Sequence, residues 1–234
     1  MINLYKKDIV AIVPAAGIGR RMQINYPKQY ITIGKKTIIE HSITSLLTHP
    51  DIKQIIIALN SEDQYFTTLP IANNHKVSCV IGGDTRAKSV LAGLKIAPIT
   101  NWVLVHDASR PCLHTDDLLR LIKIRDKTNI GGILAAPLTD TIKLNKTGKD
   151  VIDRTLERKN LWRALTPQFF SRSLLISCLE EALFNDVNIT DEANALEYCG
   201  YYPILIKGRS DNIKITYSED ILLAEFYLNK QFEG

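Results

Sequence analysis

Short runs of β-branched and apolar residues recur along the chain, each followed by a longer stretch in which apolar positions return at helical spacing. The runs Ile9–Val13, Ile55–Leu59, Val77–Ile81, Trp102–His106, Gly132–Ala136 and Tyr202–Ile206 read as strands. Most are apolar without alternation, which implies burial on both faces. The stretches Ile38–Leu47, Arg86–Leu94, Asp116–Arg125, Ser171–Asn185, Asp191–Cys199 and Glu219–Asn229 read as helices. Strands alternating with helices build a mostly parallel twisted sheet covered on both sides, an α/β three-layer α/β/α sandwich. Thr216-Tyr-Ser-Glu219 has the spacing of a capping box opening the last helix.

One segment breaks the alternation. Thr141–Leu144 and Asp150–Thr155 read as two short strands around Asn145-Lys-Thr-Gly148, with the glycine where a turn needs positive φ. This predicts a projecting β-arm over about residues 138–160 within a single domain spanning 1–234. A lone hairpin is marginally stable, so the arm should pack on something, and a second copy of the chain is the economical choice. A homodimer is therefore expected.

Composition narrows the function classes. The chain is 45% hydrophobic and 23% charged, as globular proteins are, and no apolar run is long enough to cross a bilayer. The first apolar segment is too short for a signal-peptide core, so a cytoplasmic protein with no membrane partner is expected. A net charge of +4, dispersed along the chain, does not suggest nucleic acid. Cys79, Cys112, Cys178 and Cys199 form no Cys-x-x-Cys pair, and the five histidines lack metal-ligand spacing. Of these, His106, Cys112 and His114 come nearest to a ligand set, though surface or packed-core roles suit them better. Local charge says more: between Asp8 and Glu40 there is no acidic residue, while Arg20, Arg21, Lys28, Lys35 and Lys36 fall in that gap. Such a stretch suits a bound anion or, more plainly, a solvated basic face.

The chemistry-bearing residues cluster at strand ends. After the first strand come Pro14, Ala15, Ala16, Gly17, Gly19, Arg20 and Arg21, then Pro27-Lys28-Gln29. Small residues let the backbone approach a ligand and expose amides to phosphate oxygens. A dinucleotide fingerprint would need glycine where Met22 stands, and a Walker loop would need Gly-Lys-Ser/Thr. A simple glycine-containing strand-to-helix connection is the alternative. Gly82-Gly83-Asp84 runs into a helix near Arg86, and His106-Asp107-Ala-Ser-Arg110 follows another strand, both where open α/β sheets bind ligands. Asp107 reads as a group for a sugar hydroxyl or magnesium, or as a turn or capping aspartate. The three loops together suit a nucleoside triphosphate with its metal.

These segments, with Ala136-Pro-Leu-Thr-Asp-Thr141, Leu165-Thr-Pro-Gln168, Thr190-Asp-Glu192 and Asp211-Asn-Ile-Lys214, resemble in order and spacing the 2-C-methyl-D-erythritol 4-phosphate cytidylyltransferases of non-mevalonate isoprenoid synthesis. The resemblance covers nearly the whole chain. It implies a Rossmann-like fold of the nucleotide-diphospho-sugar transferase type, in a homodimer that exchanges its arm. It also implies attack of the methylerythritol phosphate on the α-phosphorus of CTP, with Mg²⁺ held mainly by the CTP phosphates and Asp107 as a further ligand. By the same resemblance Arg21 and Lys28 stabilise the transition state, and Arg158 and Lys214 orient the attacking phosphate. Pro14, Ala15, Ala16, Gly17, Gly19, Arg20, Gly82, Gly83, Asp84 and Ser89 hold the nucleotide. Asp107, Arg110, Thr141, Thr166 and Asp211 line the acceptor side, with Thr141 and Arg158 lent by the other subunit. By composition alone Arg158 is one charge of a basic face with Arg154, Lys159 and Arg163. Ser109 stands where the family more often has alanine. Tyr65, Trp102 and Trp162 read as packing residues. A ribitol 5-phosphate cytidylyltransferase and a catalytically silent nucleotide binder are the rival readings; the former differs at the acceptor end, and the latter would not need the four cations. A phosphate monoester with its second pKa near ~6 is already ionised at neutral pH, so the absence of a His or Ser triad is expected.

Overall fold

A strand without a polar residue, β1 (Ile9–Pro14), forms the axis of the sheet in the computed structural model, which describes residues 7–17 and 26–232. β4 (Ile52–Leu59) and β6 (Trp102–Val105) lie parallel to it on either side, and β5 (Val77–Ile81) pairs with β4. Beyond β6 comes β10 (Trp162–Ser171), antiparallel both to β6 and to β7 (Gly131–Pro137); β11 (Ile204–Lys207), parallel to β7, closes that edge. The order β11-β7-β10-β6-β1-β4-β5 makes a mostly parallel sheet of seven strands.

Alternate side chains along each strand serve opposite faces. Ile9, Ala11 and Val13 pack with α1 (Ile38–Leu47) and α3 (Thr115–Ile122), whereas Val10 and Ile12 pack with α2 (Arg86–Ile96), α4 (Arg172–Phe184) and α5 (Glu192–Tyr198). Close packing leaves no room for a side chain at Gly93 of α2, where a Cβ would lie 2.8 Å from Ile12 Cγ2. A third cluster, Ile33, Ile38, Cys112, Ile215, Ala224 and Leu228, seats the small ribbon of β2 (Thr32–Ile33) and β3 (Lys36–Thr37) and the last helix, α6 (Glu219–Phe232). Among the described residues no helix is long and apolar enough to cross a membrane.

The six strands expected from the hydrophobic pattern are present, with shifted ends: the last runs Ile204–Lys207 and begins two residues later than its pattern suggests. In the seven-stranded sheet β10 is the strand the pattern does not reveal, and it does not reveal the short β2 and β3 outside that sheet either. Pro167 interrupts it, and proline normally argues against a central strand. A register shift between Ala164 and Gln168 absorbs the break on the β7 side. The capping box expected at Thr216–Glu219 does not form. Asp220 accepts the backbone N–H groups of Thr216 and Tyr217 at 2.8 and 2.9 Å, while the Thr216 hydroxyl donates to the Lys214 carbonyl. Thr37 and Glu40 form the reciprocal box instead, at the start of α1. Between β7 and β10 the chain makes a separate antiparallel ribbon, β8 (Ile142–Asn145) and β9 (Ile152–Leu156), with Gly148 at φ +72° in its turn. Its side chains are mostly exposed, Val151 and Ile152 included.

β10 carries core side chains on both faces, and Phe169 is fully buried with its ring stacked 4.8 Å from Trp102. Phe169→Ala is expected to cost about 3–5 kcal/mol in urea unfolding. A loss below about 1 kcal/mol would contradict its place at the centre of the sheet.

Candidate active site

Three strand ends converge beside β1. Ala15 keeps to the sheet ladder, its N–H donating to the Ala58 carbonyl at 2.8 Å, and the buried Gln29 amide donates to the Ala15 carbonyl at 3.0 Å. The peptide at Ala15 is thereby held from both sides. Gly19, Arg20 and Arg21 lie outside the described residues. The chain returns through Pro27 to Lys28, whose Nζ donates to the Ile215 carbonyl at 2.6 Å.

The second strand end brings Gly82 and Gly83 from β5. A Cβ at Gly82 would fall 2.9 Å from the Ala16 Cβ, so glycine is what allows this loop to approach the first. Ser89 on α2 braces the turn, its hydroxyl accepting the Gly83 N–H at 3.1 Å and donating to the Thr85 carbonyl at 2.9 Å. Asp84 is exposed and pairs with Lys88, which holds its carboxyl below the ordinary value.

Asp107 follows β6 and is the electrostatic centre. Its Oδ1 accepts Arg86 Nε at 3.0 Å, its Oδ2 accepts Lys214 Nζ at 2.8 Å, and Arg110 Nε stands 3.6 Å from Oδ2. Burial opposes ionisation here, but Arg86, Lys214 and Arg110 outweigh it and hold the carboxyl well below the usual range. Behind Arg86 lies the fully buried Glu192, which takes both guanidinium Nη groups at 2.6 and 3.0 Å. Burial works against the charge on Arg86, and the Glu192 and Asp107 carboxylates more than restore it.

Pro14, Ala15, Ala16, Gly17, Lys28, Gly83, Asp84, Ser89, Asp107 and Lys214 line one cleft of about 310 Å³, joined by Gln29, Arg86 and Ser109. Thr166 and Arg110 stand behind it. The Thr166 hydroxyl accepts the Asp107 N–H and donates to His106 Nδ1, whose opposite nitrogen donates to the Arg110 carbonyl. Arg110 is buried and donates to the Asn212 carbonyl at 2.7 Å. Asp211 pairs with Arg209 and lines a neighbouring cavity of about 650 Å³ with Thr139 and Lys207. Thr141 and Arg158 sit at the root of the arm, exposed and away from the first cleft in the single chain; Arg158 donates to the Thr139 carbonyl. Arg86 and Glu192 fall within the motifs read from the sequence, but nothing there distinguishes Glu192 from an ordinary acidic residue in the first turn of a helix. The role of Gln29 also appears only in three dimensions.

The cleft presents cations beside small residues, and the two carboxylates among its described residues, Asp84 and Asp107, are both ion-paired. No proton acceptor is free in it among the described residues: Asp107 is held ionised and His106 is buried with both nitrogens bonded. His106, Cys112 and His114 do not form a metal set, nor does any group of three potential His, Cys, Asp or Glu ligands among the described residues. Such a cleft suits a nucleophile that arrives deprotonated and a reaction in which negative charge accumulates.

Comparison with known proteins agrees with this chemistry. Residues 9–230 match the family model of 2-C-methyl-D-erythritol 4-phosphate cytidylyltransferase, IspD. The chain is 56% identical over 223 residues to the protein of that name from Escherichia coli O127:H6 (strain E2348/69 / EPEC), covering 95% of this chain and 94% of the relative. The relative from Salmonella paratyphi C (strain RKS4594) gives the same identity and coverage. The crystal structure of Francisella tularensis 2-C-methyl-D-erythritol 4-phosphate cytidylyltransferase aligns with a TM-score of 0.80 at 32% identity, covering 94% of this chain and 99% of that one. The Thermus thermophilus enzyme, at 24% identity and TM-score 0.80 over 95% and 99% of the two chains, shares the fold.

His106 lends the site a pH signature. Complete burial lowers its imidazole to about 4, against the opposing pull of Asp107. A folded-state value below the unfolded one contributes stability above about pH 6.5, and that contribution is lost as pH falls through about 4. Urea midpoints between pH 7 and 4 should show a loss of about 3 kcal/mol that is flattened in His106→Gln; equal slopes in the two proteins would refute it.

Proposed function

Because the chain belongs to the 2-C-methyl-D-erythritol 4-phosphate cytidylyltransferase family, we infer that it transfers CMP from CTP to 2-C-methyl-D-erythritol 4-phosphate. The products are 4-diphosphocytidyl-2-C-methyl-D-erythritol and pyrophosphate, on the way to isoprenoid precursors. The observation that carries the reading is a cleft where Lys28, Arg86 and Lys214 stand beside a loop of small residues and no free base is offered among the described residues.

The residues divide the work accordingly. The small residues Ala15, Ala16, Gly17 and Gly83 leave room for the nucleotide to lie close to the chain, with Ser89 and Gln29 fixing the loops. Lys28 meets the charge that builds on the α-phosphoryl group, and Lys214 faces the acceptor phosphate. The acceptor oxygen is already ionised near neutral pH, so the barrier lies in bringing two anions together and stabilising the departing pyrophosphate. Arg21 joins this group in the reading, by its place in the acid-free loop.

Asp84 and Asp107 are the carboxylates lining the cleft, and with both ion-paired the donor set suits a Mg²⁺ ion carried by the triphosphate rather than an all-protein cage. Bound there, Mg²⁺ supplies neutralising charge to the phosphates. The exposed arm supports a homodimer in which Thr141 and Arg158 enter the partner's site, since its apolar Val151 and Ile152 are exposed in one chain. Both substrates are charged and water-soluble, which suits action in the cytoplasm.

Pyrophosphate release with CTP and Mg²⁺ is expected with methylerythritol phosphate and not with ribitol 5-phosphate. Preference for ribitol phosphate would reassign the acceptor, and no release with either would leave a silent binder. Lys28→Ala should lower kcat by about 100-fold or more while changing CTP affinity only a few-fold; a loss confined to CTP binding would make Lys28 a ground-state anchor.

A further inference from the structure

Glu192 carries no role in the reading above, yet with Arg86 it forms the best-made ion pair of the site. Glu192 opens α5 with no solvent exposure, and a carboxylate so placed persists only with a partner. Both its oxygens are spent on the two Nη groups of Arg86. So gripped, Arg86 reaches Asp107 through Nε, which takes one oxygen, Oδ1. The other, Oδ2, is left for Lys214 at 2.8 Å.

Released from Glu192, the guanidinium would turn a two-nitrogen edge to Asp107, because the paired fork is the preferred meeting of arginine and carboxylate. Lys214 would then share Oδ2 with a second cation, and the like charges would loosen its hold. Among its described residues the cleft holds no substitute, for the other carboxylate, Asp84, is paired with Lys88. Nor can Asp191 replace Glu192 at the fork, since its oxygens accept from Gln168 and from the Asn194 N–H.

We propose that Glu192 is a positioning residue: by anchoring both Nη groups of Arg86 it holds the guanidinium against Oδ1 of Asp107 and keeps it off Oδ2, the seat of the Lys214 ammonium. The inference rests on the reading of the cleft as the CMP-transfer site with Lys214 toward the acceptor phosphate, and it is tested by a readout that needs no substrate.

Glu192→Gln keeps the shape and removes the charge. Acetylation of the intact protein by acetic anhydride, followed lysine by lysine in mass spectra, should label Lys214 several-fold faster in this variant, with other lysines unchanged. In turnover, kcat should fall by about ten-fold or more and the acceptor KM should rise, while CTP affinity stays within about two-fold. A merely structural role would lower melting temperature and CTP affinity together without singling out Lys214. Unchanged Lys214 labelling in a folded variant overturns the proposal whatever happens to kcat. Should Glu192→Gln not fold, Glu192→Asp, too short to reach both Nη groups, is read the same way, with a smaller shift expected and no shift refuting it. Failure of the wild-type chain to turn over its acceptor would instead overturn the reading of the cleft, and the labelling result would stand on its own.

Discussion

A carboxylate that the sheet buries at the end of its central strands must be neutralised, and that requirement at Asp107 organises everything around it. Arg86 arrives from α2, Arg110 from the loop after β6 and Lys214 from the segment after β11, so three distant stretches of chain meet at one charge. Buried ion pairs are often no more stabilising than well-packed apolar residues of the same volume. What this one provides is placement, with each cation brought to the cleft in a defined orientation.

The value of that placement follows from the size of the repulsion. Two unit charges 4 Å apart interact by about 4 kcal/mol at an effective dielectric of 20. A phosphate monoester approaching a triphosphate meets several such pairs. Lysines and arginines already desolvated and oriented offset this without reorganising when the reactants meet. A general base would add nothing, because the attacking oxygen has no proton to lose near neutral pH.

Most of the sheet was legible because its strands are apolar on both faces and helices separate them. The cleft-lining loops were legible for the same reason: glycines, cations and aspartates cluster at strand ends, where this architecture binds ligands. β10 was hidden by Pro167, whose disruption becomes tolerable only beside a register shift that depends on a neighbouring strand. Thr166 and Glu192 illustrate a second limit. The Thr166 hydroxyl is spent on His106 and Asp107, and Glu192 on Arg86. Both depend on partners many positions away, which no local spacing records. The helix start at Asp220 shows the limit at short range, since Asp220 and Glu219 are equally good acceptors until the backbone chooses.

The arm leaves and rejoins the sheet at adjacent rungs, with Pro137 opposite Trp162 and the Leu138 N–H bonded to the Leu161 carbonyl. Everything between those points is an excursion whose ends are already fastened, so altering its length changes the loop-closure cost only slowly. The cleft beside β1 would not register such a change. A scaffold built this way can therefore rewrite one appendage while the sheet and the cleft beside its central strands are inherited intact.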